Sequence, residues 1–262
     1  NLEYRYKFVE ENIKNLIDKK IYSEDKLDSY KKNLELITGL AEGADTIAAN
    51  IAMKEGIYVR AILPAPKDIY RSDFKGKALT EFEKFIALGA NSSSFTFEEI
   101  PLQPNAKKTD FSAYEDRKEI YVRLMDYIVR RSNIIIAIWD GNFLGAEGGT
   151  SEVVRSYLNL PALNKGSKIE IFNSKSEEQP EAISNVIIWI PSKRKGQKTE
   201  TKIDIKYLYS EGLSDKIWSA DKLPPSVLDR IKQFLKIGNL LGETKNSSAN
   251  DTLLEGNENQ QR

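Results

Sequence analysis

Residues 133–139, NIIIAIW, form an almost unbroken apolar run rich in β-branched side chains. A strand of that composition has to be covered on both faces, the condition of an interior strand in a parallel sheet. It sits between two helical patterns. Over residues 114–131, Ile120, Leu124, Tyr127 and Ile128 fall at i, i+4, i+7 and i+8, and a second pattern follows over 150–158. The same order recurs upstream. LELIT (34–38) reads as a buried strand, a turn bearing Gly39 and Gly43 follows, and an alanine-rich helix over 44–54 is stopped by Gly56. IYVRAIL (57–63), closed by Pro64, is a second strand; a helix near 79–88 leads to a third, SFTFEEI (94–100). Tyr6, Val9, Ile13, Leu16 and Ile17 place a helix over 2–20, and short strands are expected at 168–172 and 186–191. Strands alternating with helices at this spacing predict an α/β fold: a mainly parallel sheet with helices on both sides, hence three layers.

The character changes after Ser192. KRKGQKTETK is a polar run, PPSVLDRIKQFLKIGNLL (224–241) reads as a helix with proline at its start, and the polar stretch from Gly242 onward is expected to be disordered. The expected organisation is therefore one ligand-binding domain over 1–192, a loop and connecting helix over 193–241, and a tail over 242–262.

Composition removes whole classes of chemistry. The 262 residues include no cysteine and no histidine. Disulfides, thiolate metal sites, cysteine nucleophiles and histidine-based triads or zinc sites are excluded, and the absence of cysteine fits a reducing, cytoplasmic setting. Lys+Arg and Asp+Glu stand at 39 each, so no global field favours a nucleic acid or an anionic membrane. No stretch approaches the roughly 20 apolar residues of a membrane span. Any reaction must run on carboxylates, Lys, Tyr, Ser/Thr, backbone amides or a hard cation.

In a parallel α/β sheet, ligands gather outside the carboxyl ends of the strands. Two glycine-bearing strand-to-helix turns fall there. In EGGTSEVV, Gly148, Gly149 and the Thr150 amide and hydroxyl are placed to cradle a phosphate at a helix start. In TGLAEGAD, Gly39 lets a ligand approach the strand end, Gly43 opens the helix, and Glu42 lies between them as a further contact. Asp45, in the first helical turn, either meets a ribose hydroxyl or favours the helix start. Asp140 ends the strand 133–139, where it orients a ligand, binds a cation or makes an Asx-turn with Gly141. Glu152 faces the same turn as a ligand contact or a capping carboxylate. Arg71 and Asp73 follow a strand end and either close over a ligand or form a surface ion pair.

Taken in order, TGLAEGADTIAA (38–49), ILPAPKDIYRSDF (62–74), SNIIIAIWDG (132–141) and GGTSEVV (148–154) resemble the SLOG superfamily. That Rossmann-like group joins the DNA-processing protein A (Smf) family to the "lonely guy" nucleotide hydrolases. The similarity covers about residues 1–192 and is closest to a bacterial branch of nucleotide-binding proteins. It implies a Rossmann-like domain, with a strand ending in Gly-His-Arg ahead of residue 1. It also implies a nucleotide-type ligand, such as a signalling nucleotide or an NAD derivative, with a divalent cation as its optional companion. Domains of this kind resemble sensors in nucleotide signalling and antiphage defence, fused to or associated with effector or membrane modules, and self-association is expected. Two other readings stay open. One is N-glycosidic hydrolysis with Glu152 as the catalytic carboxylate. Here that Glu stands one residue nearer the Thr than in the hydrolases. The other is a structural, oligomerising domain with a vestigial pocket.

Overall fold

The computed structural model describes residues 34–102, 114–142, 148–162, 171–173, 185–192, 205–210 and 216–221. The helix expected over 2–20, the run 193–204, the helix expected over 224–241 and the tail lie outside the described residues. Among them, the chain alternates β1 (Glu35–Thr38), α1 (Ala44–Lys54), β2 (Tyr58–Leu63), the short α2 (Lys67–Tyr70) with a 3-10 turn (Arg71–Asp73), α3 (Gly76–Gly89) and β3 (Phe95–Glu99). Then come α4 (Tyr114–Arg131), β4 (Ile135–Trp139), α5 (Thr150–Tyr157), β5 (Ile171–Asn173), β6 (Val186–Pro191), β7 (Lys206–Tyr209) and β8 (Ile217–Ala220). The fold is α/β, as the alternation predicts.

The strands form two sheets. β1, β2 and β3 are parallel and in that order, with Ile37 opposite Arg60 and Arg60 opposite Thr96. The second sheet runs β4-β6-β7-β8-β5, parallel at β4–β6 and β5–β8, antiparallel at β6–β7 and β7–β8. Pairing is thus mainly parallel. The boundary expected at Ser192 does not mark the end of the sheet: β7 and β8 continue it from β6. Their sequences, KYLY and IWSA, are four residues each and bear no long apolar run. Pairing, of β7 to the already buried β6 and of β8 to β7 and β5, rather than their own pattern, makes them strands.

One core joins β1–β3 to α1 and α3 through Val59, Ala61, Phe82, Phe85 and Phe95, and it takes in Ile190 of β6. A second packs α5 on β4, β6 and β7 through Val154, Tyr157, Ala137, Ile187 and Leu208. Helix α4 reaches both, with Tyr121 against the first and Ile128 and Val129 against the second. Its apolar stripe at helical spacing therefore bridges the two sheets. Arg130 and Arg131 end it, where positive charge complements the helix dipole.

The polar side of β2 explains an arginine inside YVRAIL. Arg60 pairs with Glu35 of β1 and Glu98 of β3 at the exposed sheet surface. Such exposed pairs contribute little stability each and instead keep that sheet face compatible with water.

Candidate functional site

The first turn is built around a carboxylate of its own chain. Asp45 Oδ2 accepts the backbone N–H of Gly39 at 3.1 Å and of Ala41 at 3.3 Å. The Thr38 hydroxyl also bonds this carboxylate, while its oxygen accepts the Leu40 N–H at 3.2 Å. Leu40 is fully buried and left-handed at φ 54°, a conformation costly for a branched side chain unless its surroundings fix it. Thr38 and Asp45 do so. Burial raises the Asp45 pKa above its ordinary value, against the opposing pull of the Ala41, Thr38 and Gly39 bonds. The Gly39 and Ala41 amides therefore already have an acceptor, and it is Asp45. It lies in the first turn of α1, as the dipole-favoured reading has it, and its side chain does not cap that helix but bonds the loop before it.

Gly43 opens α1 at φ 104°, its carbonyl accepting the Ile47 N–H at 3.0 Å and the Thr46 hydroxyl at 3.1 Å. Glu42 is exposed beside it.

Gly39 and Gly148 serve one helix. A methyl group at Gly39 would lie 2.8 Å from Leu124 Cδ2, and one at Gly148 would lie 2.8 Å from the carbonyl carbon and Cβ of Tyr121. Leu124 and Tyr121 are one turn apart on α4, so both glycines permit close approach of a loop to that helix. Gly148 is also left-handed, at φ 75°. Gly149, the residue before α5, is extended at φ −82°, and Thr150 begins the helix with an exposed side chain.

The connection after β2 closes the group. Tyr70, Phe74 and Phe82 interlock, Phe74 stacked on Phe82 at 4.5 Å and Tyr70 edge-on to Phe74 at 4.9 Å. Contacts of this kind add about 0.5–1.5 kcal/mol each beyond burial and fix the short α2 and the turn after it. The Tyr70 hydroxyl then donates to the Gly39 carbonyl at 3.1 Å. Desolvation, with the nearby Tyr121, Asp45 and Asp73, pushes its pKa far up, so it stays a donor. Asp73 receives the Tyr121 hydroxyl at 2.9 Å and Arg117 Nη2 at 2.7 Å, both on Oδ2. Burial, and then the bond to Asp73, push the Tyr121 phenol up to about 12.

Loops from β1, β2 and the start of α5 thus meet α4, the first at Leu124 and the other two at Tyr121. Arg117, Tyr121 and Tyr70 were not singled out by the sequence pattern. Arg117 and Tyr121 stand at i, i+4 on α4, but nothing in that spacing tells a site residue from a solvated arginine and a core tyrosine.

The remaining candidates have local partners. Arg71 bonds Glu83 of α3 at the exposed surface, the surface-pair reading. Asp140 Oδ1 accepts the Asn142 N–H at 3.1 Å, the Asx-turn reading, with Gly141 left-handed at φ 81° under the Trp189 ring. Trp189 Nε1 donates to the Trp139 carbonyl and Trp139 Nε1 to the Asn142 carbonyl, each at 3.0 Å, so both tryptophans brace this turn. Glu152 is paired with Arg155, which also donates to the Leu160 carbonyl at 3.0 Å. That bond to Glu152 raises the Arg155 pKa.

Among the described residues, no group of three or more carboxylates is placed to hold a metal ion, and no helix is long and apolar enough to cross a membrane. No protein-family model, no curated protein and no solved structure matches the chain.

Proposed function

We propose that this chain binds a nucleotide or nucleotide-derived ligand where the loops after β1 and β2 and the turn before α5 meet α4, and that it acts as a sensor domain. The observation that carries the reading is the convergence of Gly39, Asp73 and Gly148 on successive turns of one helix, around Arg117 and Tyr121. The Glu152 and Val153 N–H groups bond the Gly149 carbonyl, at 2.9 and 3.0 Å, and those of Thr150 and Ser151 at the start of α5 suit a phosphate, next to an extended Gly149 with no side chain of its own. The Gly39 loop forms the opposite wall, not a second phosphate cradle, because Asp45 occupies its amides. The SLOG resemblance supports the same class of ligand. A cytoplasmic setting accords with the cysteine-free composition. Self-association and an associated effector or membrane module belong to the same proposal; nucleic acid does not, since the charges balance.

The test is a thermal-shift screen, followed by calorimetry, against mononucleotides, cyclic mono- and dinucleotides, NAD and ADP-ribose. Ligand at 100 times its dissociation constant stabilises the fold by about 2.7 kcal/mol. A selective rise that Gly149→Leu removes supports the phosphate position. Gly149 has backbone angles open to any residue, so that variant adds no backbone strain, and its urea midpoint is compared with that of wild type. No shift with any of these compounds would overturn the reading.

A further inference from the structure

Resting on that reading, we infer that Asp73 and Arg117 form the subsite for the sugar of the ligand, with Asp73 accepting a ribose hydroxyl and Arg117 holding the adjoining phosphate. The argument starts from how the carboxylate is used. Both of its donors, Tyr121 and Arg117, converge on Oδ2. Among the described residues no donor is placed on Oδ1. The Asp73 side chain is 16% exposed, partly withdrawn from solvent while still reachable. A carboxyl group beside a guanidinium accepts at both oxygens, and a mostly buried one gains from a further donor.

Arg117 is only partly used. It reaches Asp73 through Nη2, its side chain also bonds that of Tyr121, and it is 43% exposed. Its remaining N–H groups suit an anion beside the carboxylate. An acceptor edge next to a cationic fork has the polarity of a sugar phosphate: hydroxyls to donate, phosphate oxygens to accept. The position is braced. Tyr70, Phe74 and Phe82 fix the turn that carries Asp73, and Gly148 fits against Tyr121, which bonds Asp73. Gly148, just ahead of α5, therefore meets the backbone end of Tyr121, and Asp73 its hydroxyl end.

The experiment compares each of the four common ribonucleoside 5′-monophosphates with its 2′,3′-dideoxy counterpart by calorimetry. It uses the full chain in three forms: wild type, Asp73→Asn and Glu83→Gln. Wild type should prefer the ribose form by about ten-fold or more, the ratio set by one hydrogen bond to a charged acceptor. Asp73→Asn should reduce that preference to near unity. Glu83→Gln, which weakens the exposed tether to Arg71 on the same turn and lies outside the proposed subsite, should keep it, and so separates sugar recognition from general loosening of the turn. Nucleotide binding by wild type with equal affinity for ribose and dideoxyribose forms would overturn the sugar subsite while leaving nucleotide binding standing. Binding of none of these probes, nor of the wider nucleotide set, would overturn both.

Discussion

The carboxylate of Asp45 bonds the backbone N–H of Gly39, six residues earlier, at 3.1 Å. A turn with the look of a phosphate loop is thus closed by a carboxyl group of its own chain. Asp45→Ala leaves the Gly39 and Ala41 amides and the Thr38 hydroxyl without their acceptor and should cost about 2–4 kcal/mol, whereas Asp45→Asn keeps an acceptor oxygen and should cost less than about 1.5 kcal/mol. Urea unfolding of the three chains measures the order. Equal losses in the two variants would mean that the loop does not depend on that acceptor.

The same carboxylate makes a signed prediction for pH. Desolvation raises the Asp45 pKa in the folded state above its ordinary 3.8. Between those two values the folded chain binds more protons than the unfolded one. The contribution of Asp45 is therefore fully present below the unfolded pKa and is lost as pH rises through the folded pKa. Asp45→Asn should accordingly gain on wild type as pH rises from about 4 toward neutrality. Unfolding midpoints at about pH 4, 5.5 and 7 decide it; a difference that is constant, or that shifts in favour of wild type as pH rises, contradicts the burial argument.

Gly39 and Leu124 should behave as a coupled pair. A methyl group at Gly39 meets Leu124 Cδ2 at 2.8 Å and Asp45 Oδ2 at 3.2 Å. Gly39→Ala should destabilise by about 1–3 kcal/mol through overpacking. Leu124→Ala alone should cost about 2–5 kcal/mol as a large-to-small core change. The double variant should be more stable than the sum of the two losses allows, by at least about 0.5 kcal/mol. Strict additivity in the double-mutant cycle would show that α4 does not press on this loop.

The parts of this architecture that were legible in the sequence are those set by local pattern. The run that became β4, the apolar stripe of α4, the strand at 57–63 and the helix opened by Gly43 each carry their own periodicity or punctuation. β7 and β8 do not. Their pairing depends on a neighbour already buried, and a four-residue strand contains too few positions to display a period. The candidate site divides in the same way. Glycines at strand-to-helix turns could be read directly, but the partner each one admits could not. Asp45 claims the Gly39 loop, and α4 claims the close approaches at Gly39 and Gly148. Asp140, Arg71 and Glu152 fell to neighbours within a few residues or on the next helix. Those bonds depend on rotamers and loop geometry, which residue type and spacing leave open.

Glu152 offers the sharpest separation between binding and catalysis. Its carboxylate is engaged by Arg155 one turn on, with both side chains about a fifth exposed. A carboxylate held this way is anchored and not free to move toward a reacting carbon. Glu152→Gln should therefore leave nucleotide affinity within about two-fold of wild type, and stability lower by about 0.5–1 kcal/mol, the range of a modest ion pair. Prolonged incubation of wild type with nucleoside 5′-monophosphates, NAD and ADP-ribose, followed by chromatography for free base, is the accompanying measurement. Base release that disappears in Glu152→Gln would show that the Arg155 pair opens in the complex and that the chain is an N-glycosidic hydrolase. No release from a nucleotide that binds to both chains would leave Glu152 as a residue that ties α5 to the segment ending at Leu160.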